Sequence, residues 1–224
     1  MTHPHQPSDD RPWHEHDLLI IDFETTGLSP DNDMPIELGA VLIHEGKVET
    51  QFETFIDPGR DVPEFITKLT GITDEMVKGA PVAREAFQKL LDEIPYGDVQ
   101  PVAYNAPFDK PWWFKHLPAT SRQIPLLNPE HTWLDPLVMV RHLDRYVKGN
   151  GRHKLEVTAD RWGVQLEGAH RASGDCLMTW RLLEKMIADK KLPMHFTMAE
   201  LLIRQESRRR EQDAERKSYR SKKP

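Results

Sequence analysis

One segment near the start of the chain, LLIIDFETTG at positions 18–27, restricts the fold more than any other. Leu18–Phe23 is a run of strand length that is apolar apart from one acid, which predicts a central strand buried on both faces of a sheet. Because alternate side chains of a strand point the same way, Asp22 and Glu24 project together from one face. Unless both acids reach water at a strand end, a cation or a proton must offset their repulsion and lost hydration. Oxygen ligands of this kind suit Mg²⁺ or Mn²⁺.

A second acid follows a later strand. Gln100–Tyr104 reads as an apolar strand that leads through Asn105, a residue suited to capping the turn, into a helix. Asp109 lies about one turn into that helix. It is either an ordinary first-turn aspartate favoured by the helix dipole, or a residue that faces the crevice at the carboxyl ends of the strands, where α/β sheets place ligands.

The third acid is paired with a histidine. His170 and Asp175 are five residues apart, which on a single helix would separate them by about 140°. They converge only if His170 lies in a loop and Asp175 on the helix that follows it. His170 then suits a general base beside a metal site, although any one of the eleven histidines taken alone is better read as a surface residue. Four carboxylates on a strand and later helices fit two-metal phosphodiester hydrolysis, in which the ions stand about 3.5–4 Å apart.

The remaining pattern predicts one α/β domain. Glu37–His44 and Val48–Ile56 read as a hairpin, so the first three strands form the antiparallel start of a mixed central sheet flanked by helices. The predicted helices begin after Thr73 and after Pro81, and then occupy about 109–116, 135–146, 154–162 and 172–188.

Two tails flank this domain, which we place at residues 17–192. Residues 1–16 are rich in Pro, His and Asp, so they are predicted to be disordered. Residues 193–224 are predicted to be a charged, basic helical tail that, past Glu206, has nothing to bury.

Charge does not choose between function classes. The chain carries a net charge of −6, but residues 204–224 hold nine Lys or Arg and four Asp or Glu, a net +5 that leaves −11 elsewhere. This fits an enzyme that gathers carboxylates around cations, and equally an acidic globule with a solvated tail.

Cys176 is the only cysteine, which excludes an intramolecular disulfide and favours the cytoplasm. We find neither an apolar run of about 18 residues nor a secretory signal, so no membrane association is predicted.

Four short motifs resemble those of the DEDD exonucleases. They are DFETTG at 22–27, LTGIT at 69–73, YNAPFD at 104–109 and HRASGD at 170–175, in the family's order and separations. The resemblance runs from about residue 18 to residue 187. It points to the branch with a histidine in its third motif (DEDDh), to which the epsilon proofreading subunit of bacterial DNA polymerase III and ribonuclease T belong.

The resemblance implies a ribonuclease H-like fold and a 3′→5′ exonuclease that releases nucleoside 5′-monophosphates. Asp22, Glu24, Asp109 and Asp175 would hold two Mg²⁺ or Mn²⁺ ions, and His170 would activate water. The residues assigned to substrate binding are Thr25, Thr26, Leu28, Asn105 and Phe108. Tyr104 departs from the family, because proofreading subunits commonly have histidine there.

Several alternatives stay open at this point. DNA is favoured as the substrate, because the DFETTG and LTGIT motifs are closer to proofreading subunits, but an enzyme that trims RNA 3′ ends has the same motifs. A binding module that has lost activity is disfavoured, because all five catalytic residue types are present. The basic tail would contact nucleic acid, a polymerase or another replication or repair protein, or only solvent. No oligomeric state is predicted.

Overall fold

The computed structural model describes residues 10–95, 99–117, 125–147, 149–164, 171–189 and 191–221. The strands are β1 (Leu18–Thr25), β2 (Pro35–His44), β3 (Lys47–Phe55) and β4 (Gln100–Val102). The helices are α1 (Glu64–Thr70), α2 (Asp74–Val77), α3 (Ala83–Glu93), α4 (Ala106–His116), α5 (Pro136–Leu143), α6 (Leu155–Arg161), α7 (Ala172–Ala188) and α8 (Met198–Ser221). The sequence predicted all of these strands and every helix except α1.

The strands form one mixed sheet in the order β3-β2-β1-β4. β1 pairs antiparallel with β2 and parallel with β4, and β2 pairs antiparallel with β3. The β2–β3 hairpin turns at Glu45 and Gly46, both with positive φ. The predicted α/β architecture with an antiparallel start is therefore confirmed, and β1 is a central strand.

Side chains of β1 alternate between two hydrophobic cores. Leu19 and Ile21 point into the core that contains Trp112 and Trp113 of α4. Leu18 and Ile20 point into the other core, which includes Trp180 and Leu183 of α7. Both faces of β1 are thus covered, as the apolar run predicts. The residues that continue the α7 side of the strand are those at positions 22 and 24.

The N-terminal segment differs from its prediction. Within 10–16, residues Trp13–Glu15 form a 3-10 turn, and the indole of Trp13 is fully buried. Its backbone N–H donates to Phe196 O at 2.8 Å, and its Nε1 donates to Pro193 O at 3.1 Å. The prediction of disorder is therefore wrong for residues 10–16, because one large aromatic side chain fastens the segment to the chain before α8. Residues 1–9 lie outside the described ranges.

The C-terminal helix also differs. Its first turns bury Met198, Leu201 and Leu202. Beyond Glu206 none of the described residues is buried, as predicted, but polar contacts to α5 and to the residues before it hold this part of the helix. A hydrophobic pattern could not show these contacts, since they are hydrogen bonds and ion pairs. Among the helices in the described ranges, none combines the length and apolar character required to cross a membrane.

Candidate active site

Three acids converge where β1 meets α7. Asp22 and Glu24 project from the face of β1 that α7 covers, and Asp175 lies in the first turn of α7. Carboxylate oxygens of these three residues lie within 4.8 Å of one another. Period-two alternation places the first pair, and the packing of α7 on the sheet brings the third.

A fourth acid approaches from α4. Asp109 lies in the first turn of this helix and is 1% exposed, and within the described ranges its Oδ1 has no hydrogen-bond partner. The helix begins after Asn105, which adopts a left-handed conformation (φ 80°) and whose backbone N–H donates to Asp135 Oδ1 at 3.0 Å. Asn105 therefore occupies the predicted cap position, although its side chain makes no capping hydrogen bond. The sharp turn points Asp109 inward rather than toward solvent.

The four acids behave as one electrostatic cluster. Burial raises the pKa of Asp22 well above its usual value, and the charges of Asp109, Asp175 and Glu24 raise it further. Burial, followed by the charge of Asp175, raises the pKa of Glu24 to about 8. The pKa of Asp109 is also raised, first by burial. Without a cation this cluster would hold protons at neutral pH, and a divalent cation would stabilise its ionised form.

These residues fit a divalent metal ion. All four offer hard oxygen ligands, and Asp109 Oδ1 is a buried acceptor for which the described residues supply no donor. A buried acceptor without a partner is costly, so a bound cation explains its position better than packing does.

An ionic network fixes the beginning of α7. Arg171 Nε donates to Glu37 Oε1 at 2.7 Å, and Glu37 Oε2 accepts from the backbone N–H of Ala172 at 3.0 Å. Glu53 of β3 accepts from Arg171 and from the hydroxyl of Ser173. Burial raises the pKa of Glu37, while Ala172 and Arg171 lower it.

Glu37 was not singled out from the sequence. The available signal was an acid inside the otherwise apolar strand PIELGAVLI, opposite Glu24 in the β1–β2 register. Because it holds Arg171 and Ala172, Glu37 determines where α7 begins relative to the acids of β1.

The two threonines that are predicted to contact substrate form hydrogen bonds within the turn that follows β1. Thr25 Oγ1 donates to Gly27 O at 2.5 Å, and Thr26 Oγ1 accepts from Met34 N–H at 3.0 Å. Both threonines are buried, and they shape the turn that follows β1. Leu28 on that turn is 83% exposed, so its side chain is available to a ligand.

A cavity of about 920 Å³ adjoins the acids. Glu24, Asp175, Asn105 and Phe108 line part of it, so two predicted substrate residues share a wall with two predicted metal ligands. Tyr104 also lines it, and its hydroxyl donates to His153 O at 2.7 Å. That hydrogen bond ties the segment before α6 to the end of β4. The tyrosine that stands here in place of the family's histidine thus helps to hold the cavity wall together.

His170 is the predicted site residue that the geometry does not place, because residues 165–170 lie outside the described ranges. The next residue along the chain is Arg171, which Glu37 and Glu53 hold.

Comparison with known proteins identifies the family. A model of the exonuclease family RNase_T matches residues 19–183, most of the chain and all four motifs. The chain belongs to this family of DEDD exonucleases. It is therefore a nuclease, and the sequence-based resemblance is confirmed.

Similar proteins include bacterial polymerases. The PolC-type DNA polymerase III of Caldanaerobacter subterraneus subsp. tengcongensis is 40% identical over 173 residues, which cover 77% of this chain and 12% of the polymerase. The protein of the same name from Clostridium perfringens is 35% identical over 170 residues, or 76% of this chain and 11% of the polymerase. The chain thus spans about a tenth of the length of these curated relatives.

Solved exonuclease structures share the fold. Exonuclease X in complex with 5′ overhanging duplex DNA superposes with a TM-score of 0.61 at 22% identity, covering 84% of this chain and 99% of that one. E. coli Exonuclease I in complex with a dT13 oligonucleotide gives a TM-score of 0.65 at 16% identity, covering 79% of this chain and 42% of that one.

Proposed function

We propose that this exonuclease hydrolyses DNA from the 3′ end and releases nucleoside 5′-monophosphates, with Asp22, Glu24, Asp109, Asp175 and His170 as its catalytic set. The observation that carries the proposal is the convergence of three carboxylates within 4.8 Å beside a fourth, Asp109, whose buried Oδ1 has no hydrogen-bond partner among the described residues. Such a cluster is costly in a folded protein unless cations occupy it.

The four acids would hold two divalent ions, Mg²⁺ or Mn²⁺. When bound, such ions supply Lewis-acid stabilisation of the attacking and the leaving oxygen. The chain's own contribution is to hold the carboxylates in one place, since they come from β1, α4 and α7, elements packed on the central sheet. A ligand set made of carboxylate oxygens favours these hard cations over softer ones.

His170 would act as the general base that takes the proton from the attacking water. A neutral imidazole near pH 7 suits this task. Support comes from its neighbour Arg171, whose ion pairs with Glu37 and Glu53 anchor the chain where it enters α7.

DNA is favoured over RNA because the proteins that resemble this chain are DNA polymerases and exonucleases in complex with DNA. Phe108 lines the cavity that adjoins the acids, and Leu28 is exposed on the turn after β1; both offer apolar surface, which suits contact with the terminal base. The likeness to a segment of PolC-type polymerases supports a polymerase or another replication or repair protein as a partner through the C-terminal helix.

The test is a cleavage assay with 5′-labelled single-stranded DNA and RNA of one sequence, in Mg²⁺, Mn²⁺ or EDTA. We expect a ladder that shortens from the 3′ end of DNA with either metal, no cleavage in EDTA, and slower cleavage of RNA. Asp22→Asn should abolish the ladder, whereas Asp92→Asn, the same change at an exposed position of α3, should not.

A circular single strand has no 3′ end and should stay intact in the same assay. Cleavage of the circle, or an intact linear substrate under every metal condition, would contradict the proposal. Faster cleavage of RNA would replace DNA by RNA as the substrate.

A further inference from the structure

A polar stripe fastens α8 along α5. Gln205, Arg209 and Gln212 are spaced by four and three residues, so they lie on one face of the helix. Gln205 is fully buried; it accepts from the backbone N–H of Asp135 at 2.7 Å and donates to Trp133 O at 2.9 Å.

The stripe continues toward the C-terminus. Arg209 pairs with Asp135 Oδ2 at 3.2 Å, and Gln212 donates to Val138 O at 2.9 Å. The next residue in this spacing is Arg216, four positions further on. Its place beside α5 therefore follows from the docking of the whole helix.

Arg216 reaches the cavity that adjoins the acidic cluster. It lines this cavity together with Arg141 of α5, and Glu24 and Asp175 line the same cavity. Arg141 is partly buried, and burial and then the positive charge of Arg216 lower its pKa. We call Arg141 and Arg216 the arginine pair.

Little in the described part of the protein neutralises the arginine pair. Within those ranges no carboxylate forms an ion pair with Arg141. Asp135 is the acid whose charge raises the pKa of Arg141 most, and it is already engaged by Arg209 and two backbone N–H groups. Among the same residues, Arg216 pairs only with Asp213, at 3.8 Å on the exposed surface, where such pairs contribute little. Two cations that face the same cavity form a site for an anion.

We propose that the arginine pair binds a backbone phosphate of the substrate strand upstream of its 3′-terminal nucleotide. The inference rests on the proposed function, since the cavity also contains the acids that would cut the strand. Guanidinium groups bind phosphate oxygens through paired N–H donors, and a phosphate contact fixes the position of the strand without reading its sequence. The exposed Arg152 and Lys154 line the same cavity and extend its positive wall. On this view α8 is part of the substrate site.

The first measurement is binding of a fluorescent ten-residue oligothymidylate in EDTA, by anisotropy over a range of salt concentrations. We expect Arg141→Ala/Arg216→Ala to raise Kd roughly tenfold or more, as the removal of at least one charge-assisted hydrogen bond requires. The slope of log Kd against log salt should fall by about 0.7 for each phosphate that the variant no longer binds. Arg216→Lys should retain most of the slope, because it keeps the charge.

The matched control is Arg210→Ala, which removes the same charge from the exposed surface of α8 outside the cavity lining. Double-variant binding and salt dependence equal to those of this control would overturn the inference. Weaker binding with an unchanged slope would also overturn it, since that indicates a shifted helix and an intact set of phosphate interactions. Thermal melts of all variants check that α8 stays docked.

Cleavage kinetics separate this inference from the proposed function. The p-nitrophenyl ester of thymidine 5′-monophosphate has no upstream phosphate, so the double variant should raise its KM far less than the KM for the oligonucleotide. Equal effects on both substrates would contradict an upstream contact. If the unaltered protein cleaves neither substrate with Mg²⁺ or Mn²⁺, the proposed function fails, while the binding measurement still decides the role of the arginine pair.

Discussion

Asp22, Glu24 and Asp109 are each unfavourable where they stand, and this cost is what points to a bound cation. Burial raises the pKa of Asp22, Glu24 and Asp109, and the neighbouring carboxylates raise it further. A set of mutually repelling acids is retained in a core when something outside the chain compensates it. Divalent cations do this with the ligand atoms present.

Glu24 gives this cost a pH dependence. Its pKa rises from 4.5 to about 8 on folding, so its contribution to stability is complete below pH 4.5 and is lost as the pH rises toward 8. We expect the melting temperature of metal-free protein in EDTA to fall between pH 5 and pH 8, by an amount equivalent to roughly a few kcal/mol. Added Mg²⁺ should reverse the fall, because the ion stabilises the ionised acids.

Glu24→Gln should flatten this pH dependence, whereas Glu85→Gln at an exposed position of α3 should not. Equal pH dependence in both variants would mean that Glu24 does not titrate as its burial requires.

Residue spacing alone predicted part of this cluster. Alternation along β1 is enough to pair Asp22 with Glu24. Asp109 also allows the interpretation of an ordinary first-turn aspartate, and only the packing of α4 and α7 brings Asp109 and Asp175 to the same cluster. Glu37 escaped notice because its partners, Arg171 and Ala172, are more than 130 residues away along the chain.

At the scale of elements, the contact between β2 and α7 determines where the acids meet. A Cβ atom at Gly39 would lie 2.3 Å from the carbonyl carbon of Ala172 and 2.4 Å from the backbone nitrogen of Ser173. Only glycine allows the first turn of α7 to come this close to the sheet. Glu37, two residues earlier in β2, supplies the acid that holds the same turn.

Gly39→Ala should therefore push α7 away from the sheet. The atoms it meets are backbone, which cannot rotate aside, so we expect a loss of about 1–3 kcal/mol or more in the free energy of unfolding. Displacement of Asp175 should also lower kcat by roughly tenfold to a hundredfold in protein that is still folded. Denaturant unfolding and single-turnover cleavage measure the two effects.

Gly46→Ala is the matched control. Gly46 has φ of 71° in the β2–β3 turn, and a Cβ there would meet nothing within 4 Å. The change should cost about 1–2 kcal/mol through backbone strain and leave kcat unchanged. If Gly39→Ala also left kcat unchanged, close packing of β2 on α7 would not position the acids.

At the scale of the whole molecule, the C-terminal helix belongs to the folded body. Hydrophobic periodicity predicted the helix but not its docking, because only its first turns are apolar and the rest is held by polar side chains. Trp13 was missed for a related reason, since a single aromatic residue among polar ones carries no periodic signal. Both segments pack against each other, and neither partner can be recognised without the other.

Truncation tests whether residues 17–192 suffice as a domain. A chain that ends at residue 192 loses Met198, Leu201 and Leu202, each fully buried and each contributing about 1.5–3 kcal/mol. This loss is comparable to the total stability of a typical domain, about 5–15 kcal/mol, so we expect no cooperative melt. A chain that ends at Arg210 keeps the buried residues and should melt cooperatively. If the shorter chain melted like the full chain, the helix would be an appendage.

Binding of two divalent cations by the four carboxylates underlies every functional proposal made for this protein, and crystals grown with Mn²⁺ allow it to be seen by anomalous scattering. We expect two anomalous peaks about 3.5–4 Å apart, both bounded by oxygens of Asp22, Glu24, Asp109 and Asp175. Crystals of Asp22→Asn protein should lose at least one peak. The absence of any peak among these acids at saturating Mn²⁺, in protein that cleaves DNA, would show that the carboxylates are not the metal site.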